Sequence, residues 1–236
     1  MIYGTLVVAF IAMLLAAPVA VGAAVFTAEF LPHRLRLMVK IAVELLAGIP
    51  SVVYGLLGLL LLRNWVYEAL EKYEPLSGDT LLTAGILLAV MILPTIMTLA
   101  DDALVALPAS QRLAARGLGL TSTEVVLQVS LPQAFPGILA ALLLAMGRAV
   151  GEMIAVFLVV GRQDNQWPER LFSLQPLIES GQTLSSKLGS SETNIAYGDP
   201  LHWAAMVGLG LILLTIVFGL TLMGFKLQHC RRSHAS

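Results

Sequence analysis

Residues 1–28 carry no charged side chain, and long apolar runs of this kind recur along the sequence. About 20 such residues are enough to carry a helix across the roughly 30 Å hydrocarbon layer of a bilayer. In lipid the backbone has no water to bond to, so a spanning segment must satisfy its N–H and C=O groups itself, as a helix does. Composition agrees, with 58% of residues hydrophobic and 12% charged, where a soluble domain carries about a quarter charged residues. The sequence predicts an all-α integral membrane protein.

Five spans are expected, at about residues 3–26, 38–62, 81–100, 136–161 and 203–226. Together they form one integral membrane domain over residues 3–226. An external loop over 162–202 and a cytoplasmic tail over 227–236 complete the plan. Orientation follows from the basic residues, which favour the cytoplasmic side. Arg34, Arg36, Lys40, Arg112, Arg116, Lys226, Arg231 and Arg232 fall on one side, while Arg63, Lys72, Arg162, Arg170 and Lys187 share the other with most of the acids. The first side is therefore cytoplasmic and holds the C-terminus. Five spans then put the N-terminus outside, with no preceding helix to anchor it, and the expectation is that this chain lacks a helix its relatives carry.

Other classes are excluded by what the sequence lacks. The net charge of −1 gives nucleic acid nothing to bind, and the lone Cys230 supports no disulfide framework. The start lacks the basic n-region of a signal peptide, so its apolar run is expected to stay as a span. There is no phosphate-binding loop and no H-E-x-x-H metal motif. The four histidines lie in loops or near span ends, so no catalytic residue, metal site or bound cofactor is expected.

Residues 101–133 are too polar to span and too apolar for a plain linker. After Pro108 the run ASQRLAARGL predicts a short helix that Gly119 ends. The following TSTE, at residues 121–124, has the form of a capping box opening the next helix, and Pro132 introduces the fourth span.

Within the fourth span, LLLAMGRAVGEMIAVFLVVG holds Arg148 and Glu152. A charge at mid-membrane costs about 2.5–3.5 kcal/mol on insertion scales, so such residues face an interior path or one another. On a helix the two lie four apart, on one face, and an ion pair lowers the cost of both. Such a pair can lock the helix to a neighbour, or Arg148 can meet a passing anion while Glu152 keeps the unoccupied site near neutral. Gly48, Pro50 and Ser51 interrupt the second span, and Pro94 and Thr95 the third. Broken helices in transporters turn backbone groups toward a path, which makes Ser51 and Thr95 lining residues and Gly48, Pro50 and Pro94 helix breaks. Glu44 is expected to pair with Lys40, again four residues away.

Leu113, Ala114, Ala115 and Gly119, then Val129, Leu131 and Pro132, match the spacing of a cytoplasmic motif of ABC importer permeases: E-A-A-x-x-x-G, nine residues, then I-x-L-P. Leu113 stands where that motif has glutamate. Two further stretches, VELLAGIPSVVYGLLGL and AMGRAVGEMIAV, resemble the phosphate-specific permeases, the PstC type above its PstA-type partner. That resemblance implies a MetI-like fold and the permease subunit of an importer for inorganic phosphate in the cell inner membrane. It implies a PstA-type second permease subunit, an ATPase dimer that uses the ATP, and an extracytoplasmic phosphate-binding protein. Arg112, Leu113, Ala114, Ala115, Arg116 and Gly119 would form the ATPase coupling segment. Importers of other oxyanions, such as sulfate or molybdate, and a truncated scaffold that does not transport are the competing readings.

Overall fold

The computed structural model describes residues 1–73, 77–161, 175–178, 180–190, 192–196 and 198–234, and among these there is no strand. Helices α1 (Ile2–Glu29), α2 (His33–Ala47) and α3 (Ser51–Leu57) come first. A π-helical turn, Gly58–Leu62, joins α3 to α4 (Arg63–Leu70). Then follow α5 (Leu81–Val105), α6 (Ala109–Gly117) and α7 (Ser122–Val125), with a second π turn, Val126–Ser130, leading into α8 (Leu131–Gly151). Helices α9 (Ile154–Val159), α10 (Gln175–Ile178), α11 (Leu184–Leu188), α12 (Glu192–Ala196) and α13 (Pro200–His234) complete the order. Among the described residues four helices are long and apolar enough to cross a membrane, and there is a fifth span if the bent pair His33–Ala47 and Ser51–Leu70 counts as one.

The second span is interrupted where Gly48, Pro50 and Ser51 fall, and its halves meet at 82°. Helix α2 ends with the Gly48 N–H bonded to the Glu44 and Leu45 carbonyls at 3.0 and 3.2 Å. The Pro50 ring then disfavours helical dihedrals at Ile49. Pro50 itself opens the next helix, accepting the Val53 N–H at 2.9 Å.

The fourth span departs from expectation. Helix begins at Ser122 and runs through Pro132 and Pro136 to Gly151, a stretch of 30 residues. Pro132 does not mark its start, because the π turn before it already shifts the bonding pattern, with the Leu131 N–H reaching the Val126 carbonyl. The helix then stops at Gly151, ten residues short of the expected end, and resumes as α9 after Glu152 and Met153. The third span extends past residue 100 to Val105, and α13 continues beyond residue 226 to His234. Pro94, expected as a break, lies inside unbroken α5. A proline removes the bond its own N–H would give to the carbonyl four residues back, at Val90, and α5 runs on regardless; one turn later the Thr98 hydroxyl donates to the Pro94 and Thr95 carbonyls at 3.1 Å.

Contacts divide the chain into two compact units. The first comprises Met1–Leu15, Ile49–Ile92 and Met146–Gly219. Here α3 packs on α9: a side chain at Gly55 would meet Leu158 at 2.7 Å and the Ala155 backbone at 3.0 Å, and one at Gly58 would meet Leu87 and Val159. Helix α11 is folded in, with Leu184 fully buried and its N–H bonded to Thr5 Oγ1 at 2.9 Å. The second unit comprises Ala16–Gly48, Leu93–Ala145 and Leu220–Ser236. Its core is rich in small residues, including Ala20, Ala24, Ala100, Ala134, Ala140 and Ala141, all buried. Lipid tails are as apolar as the side chains they surround, so helix association gains from close contact rather than from escape from water, and small residues allow that contact.

Candidate functional site

Arg148 lies one turn before the end of α8 and is exposed in the isolated chain. Glu152 is past that end: its N–H bonds the Ala149 carbonyl at 3.3 Å, and its Oε1 accepts the Ala155 N–H at 3.3 Å. The carboxylate thus satisfies one of the N–H groups that the start of α9 leaves open. The premise of one continuous helix through both residues is therefore corrected. Glu152 sits in a break, and tertiary packing sets that break. Helix α9 is held on α3 through Gly55 and Gly58, while Met153 fills the space beside Gly189.

Ser51 is the first residue of α3 and is half-buried, as is Thr95 in α5. Ser51, Arg148 and Glu152 belong to the first compact unit and Thr95 to the second. The first unit also holds a cavity of about 440 Å³ lined by Leu59, Arg63, Asp79, Phe157, Leu158 and Ser180. Arg63 pairs there with Asp79 at 3.1 Å, and the Ser180 hydroxyl donates to the Asp79 carbonyl at 2.7 Å. The spacing of the sequence gives no hint of this cluster, whose members meet only in the fold. Of the expected external loop, residues 162–174, 179, 191 and 197 lie outside the described residues, Arg162 and Arg170 among them.

The segment between α5 and α8 forms part of the second unit. Helix α6 ends at Gly117, and Gly119 takes a φ of +90° that an L side chain rarely adopts. Thr121 then caps α7. Its N–H and hydroxyl each reach Glu124 Oε2 at 2.7 Å, and the Glu124 N–H returns to Thr121 Oγ1 at 3.4 Å. This reciprocal pair satisfies two groups of the helix start at once. Ala115 is buried, whereas Leu113 is 65% and Leu118 84% exposed, with Ala114 and Arg116 exposed beside them. Arg112 points the other way, into a set of polar partners on α1 and α5.

Charges near the ends of α1, α2 and α5 also converge. Arg36 binds Asp101, whose side chain is only 6% exposed, and Thr27 donates to the same carboxylate at 3.3 Å. Lys40, expected to pair with Glu44, instead reaches Asp102 on α5 at 2.6 Å. No group of three or more metal-ligating side chains gathers among the described residues.

Comparison with known proteins fits this architecture. The family described as binding-protein-dependent transport system inner membrane component matches residues 20–228. The phosphate transport system permease protein PstC of Mesorhizobium japonicum is 36% identical over 233 residues, covering 92% of this chain and 68% of its own length. The PstC of Pasteurella multocida is 37% identical over 232 residues, covering 91% and 69%. Among solved structures, an inward-facing crystal form of the MetNI methionine ABC transporter aligns with a TM-score of 0.65 at 18% identity. That alignment covers 98% of this chain and 93% of the MetNI chain, and at this identity it establishes the MetI-like fold alone. The chain is an inner membrane transport component and not an enzyme: it belongs to the binding-protein-dependent transport system inner membrane component family, among permeases of the PstC type.

Proposed function

We propose that this chain is the membrane-spanning subunit of an ATP-driven importer for inorganic phosphate. The observation that carries the reading is identity of 36–37% to permeases named for phosphate transport, sustained over more than nine tenths of the chain. A PstA-type subunit completes the path, an ATPase dimer binds on the cytoplasmic side, and an extracytoplasmic binding protein delivers the anion. The chain itself holds no cofactor, and ATP is consumed by its partners. Its C-terminus is cytoplasmic, as the basic residues indicate.

In this reading Arg148 contacts the anion. A guanidinium presents a planar fork of donors that matches two phosphate oxygens. Glu152, anchored by the Ala155 N–H, is the counter-charge that keeps the site near neutral between transport events. Ser51 and Thr95 line the path. Helix α6 docks the ATPase through its outward face, where Leu113, Ala114, Arg116 and Leu118 are exposed. One exposed leucine on this nine-residue cytoplasmic helix and a second just past its end are what a partner's apolar cleft would cover.

The test is uptake of labelled phosphate by cells that lack their own PstC-type subunit and carry this chain. Uptake that excess sulfate does not reduce supports the reading, and its loss in Arg148→Gln, with the complex still assembled, supports the role of that residue. Uptake abolished by sulfate or molybdate favours another oxyanion. A chain that inserts and assembles but moves no anion favours a scaffold.

A further inference from the structure

Arg112 is the residue of α6 with the most polar partners. Its Nη2 donates to Glu29 Oε1 and to the Leu104 carbonyl, both at 2.8 Å, and its Nε lies 3.4 Å from Ser130 Oγ. One guanidinium therefore ties α6 to the last residue of α1, to the end of α5 and to the π turn that leads into α8. The ion pair is largely withdrawn from solvent, with Glu29 at 6% and Arg112 at 22% side-chain exposure. The Leu104 carbonyl belongs to the last turn of α5 and also accepts the Leu107 N–H at 3.2 Å, so Arg112 adds a second bond at that helix end.

Covalent connection runs from α6 to α5 on one side and to α7 and α8 on the other. Helix α1 is 83 residues away in sequence at the Glu29–Arg112 contact. A displacement of α6 can thus reach α1 only through side-chain contacts or by way of other helices. The Glu29–Arg112 bond is charge-assisted, short and shielded, which makes it stiff compared with an exposed pair. Lysine could not replace it, because a single ammonium does not present the separate Nε and Nη2 donors that reach Ser130 on one side and Glu29 and Leu104 on the other.

We propose that Arg112 and Glu29 form a strut that passes movement of α6 to α1, so that Arg112 is a positioning residue and not an ATPase contact. The strut rests on the reading of α6 as the ATPase-docking helix, and the experiment separates failure of the two ideas. The full importer, with both permease subunits, ATPase and binding protein, is reconstituted in liposomes. Arg112→Gln, Glu29→Gln, the two combined, and Leu118→Asp are compared. The readouts are ATPase retained on purification, ATP hydrolysed with loaded binding protein, and phosphate transported per ATP.

The expected result is that both single variants retain the ATPase and still hydrolyse ATP, while phosphate moved per ATP falls at least about fivefold. The combined variant should be no worse than either alone, since each already removes the same link. Leu118→Asp should lose the ATPase. Unchanged phosphate per ATP in the single variants, or losses that add in the double, overturns the strut. Glu29→Gln keeps the side-chain volume and carries the test should Arg112→Gln fail to assemble; failure of both to assemble overturns the strut in favour of a purely structural pair. If Leu118→Asp retains the ATPase and transports normally, the docking reading fails, whatever the strut variants do.

Discussion

Arg36 grips Asp101 with two parallel bonds, Nη2 to Oδ2 at 2.6 Å and Nε to Oδ1 at 3.2 Å. The neighbouring pair, Lys40 with Asp102, is equally short but its carboxylate is 58% exposed. Geometry alone does not separate these pairs, but burial does. Removing one partner of a buried pair strands the other charge at a cost of about 3–5 kcal/mol, whereas exposed pairs contribute about 0–1 kcal/mol. Asp101→Ala should therefore lower the thermal midpoint of the detergent-solubilised protein strongly, and Asp102→Ala should barely move it. Equal shifts in the two variants would refute this ranking.

The contact of α3 with α9 makes a second prediction. Alanine at Gly55 must displace the Ala155 backbone as well as Leu158, since its Cβ would lie 3.0 Å and 2.7 Å from them. Backbone yields less readily than the end of a leucine, and overpacking of this kind costs about 1–3 kcal/mol. Gly208, in α13, has nothing within 4 Å of its would-be Cβ. There alanine gains about 0.5–1 kcal/mol by relieving the glycine penalty within a helix. Thermal midpoints should thus shift in opposite directions for Gly55→Ala and Gly208→Ala.

The same contact explains what could be read in the sequence and what could not. Apolar runs located every long helix, because length and polarity are properties of a segment by itself. The TSTE box was legible for the same reason, since Thr121 and Glu124 are three residues apart and need no distant partner. The break at Glu152 was not legible. Glutamate and methionine are good helix formers, and propensity is a weak prior that tertiary packing overrides. What ends α8 is the seating of α9 on Gly55 and Gly58 and of Met153 beside Gly189, contacts between residues far apart in the chain. The interruption at Pro50 is legible but its sharp bend is not, because proline announces an interruption but not its angle. The partners of Arg112 were equally hidden.

Two glycines at the end of α6 give a third prediction. Gly117 is helical with open space around its would-be Cβ, and Gly119 has equally open space but a φ of +90°. Alanine at 117 should be neutral or stabilise by up to about 1 kcal/mol, through helix propensity. At 119 it must adopt a strained backbone, at a cost of about 1–3 kcal/mol. The strain would be relieved by shifting α6 against α7, so Gly119→Ala should also lower transport per ATP in the reconstituted importer. Retention of full coupling by Gly119→Ala would show that this turn does not set the position of α6.

Orientation gives the last prediction, for which the protein carries its own probe. The span at the start of α13 covers 28 residues, Pro200–Leu227, or about 42 Å of helix at 1.5 Å per residue. This exceeds the roughly 30 Å hydrocarbon layer, so Cys230, the lone cysteine of the chain, lies beyond the membrane on the C-terminal side. If the basic residues set the topology, a membrane-impermeant maleimide should modify Cys230 in inside-out vesicles and leave it untouched in intact cells. The opposite end needs an exposed position. Asn194 in α12 is exposed and meets that need. In a Cys230→Ser background, Asn194→Cys should be modified in intact cells. Labelling of Cys230 from outside, or protection of position 194, would invert the chain in the membrane and put α6 on the wrong side to meet an ATPase.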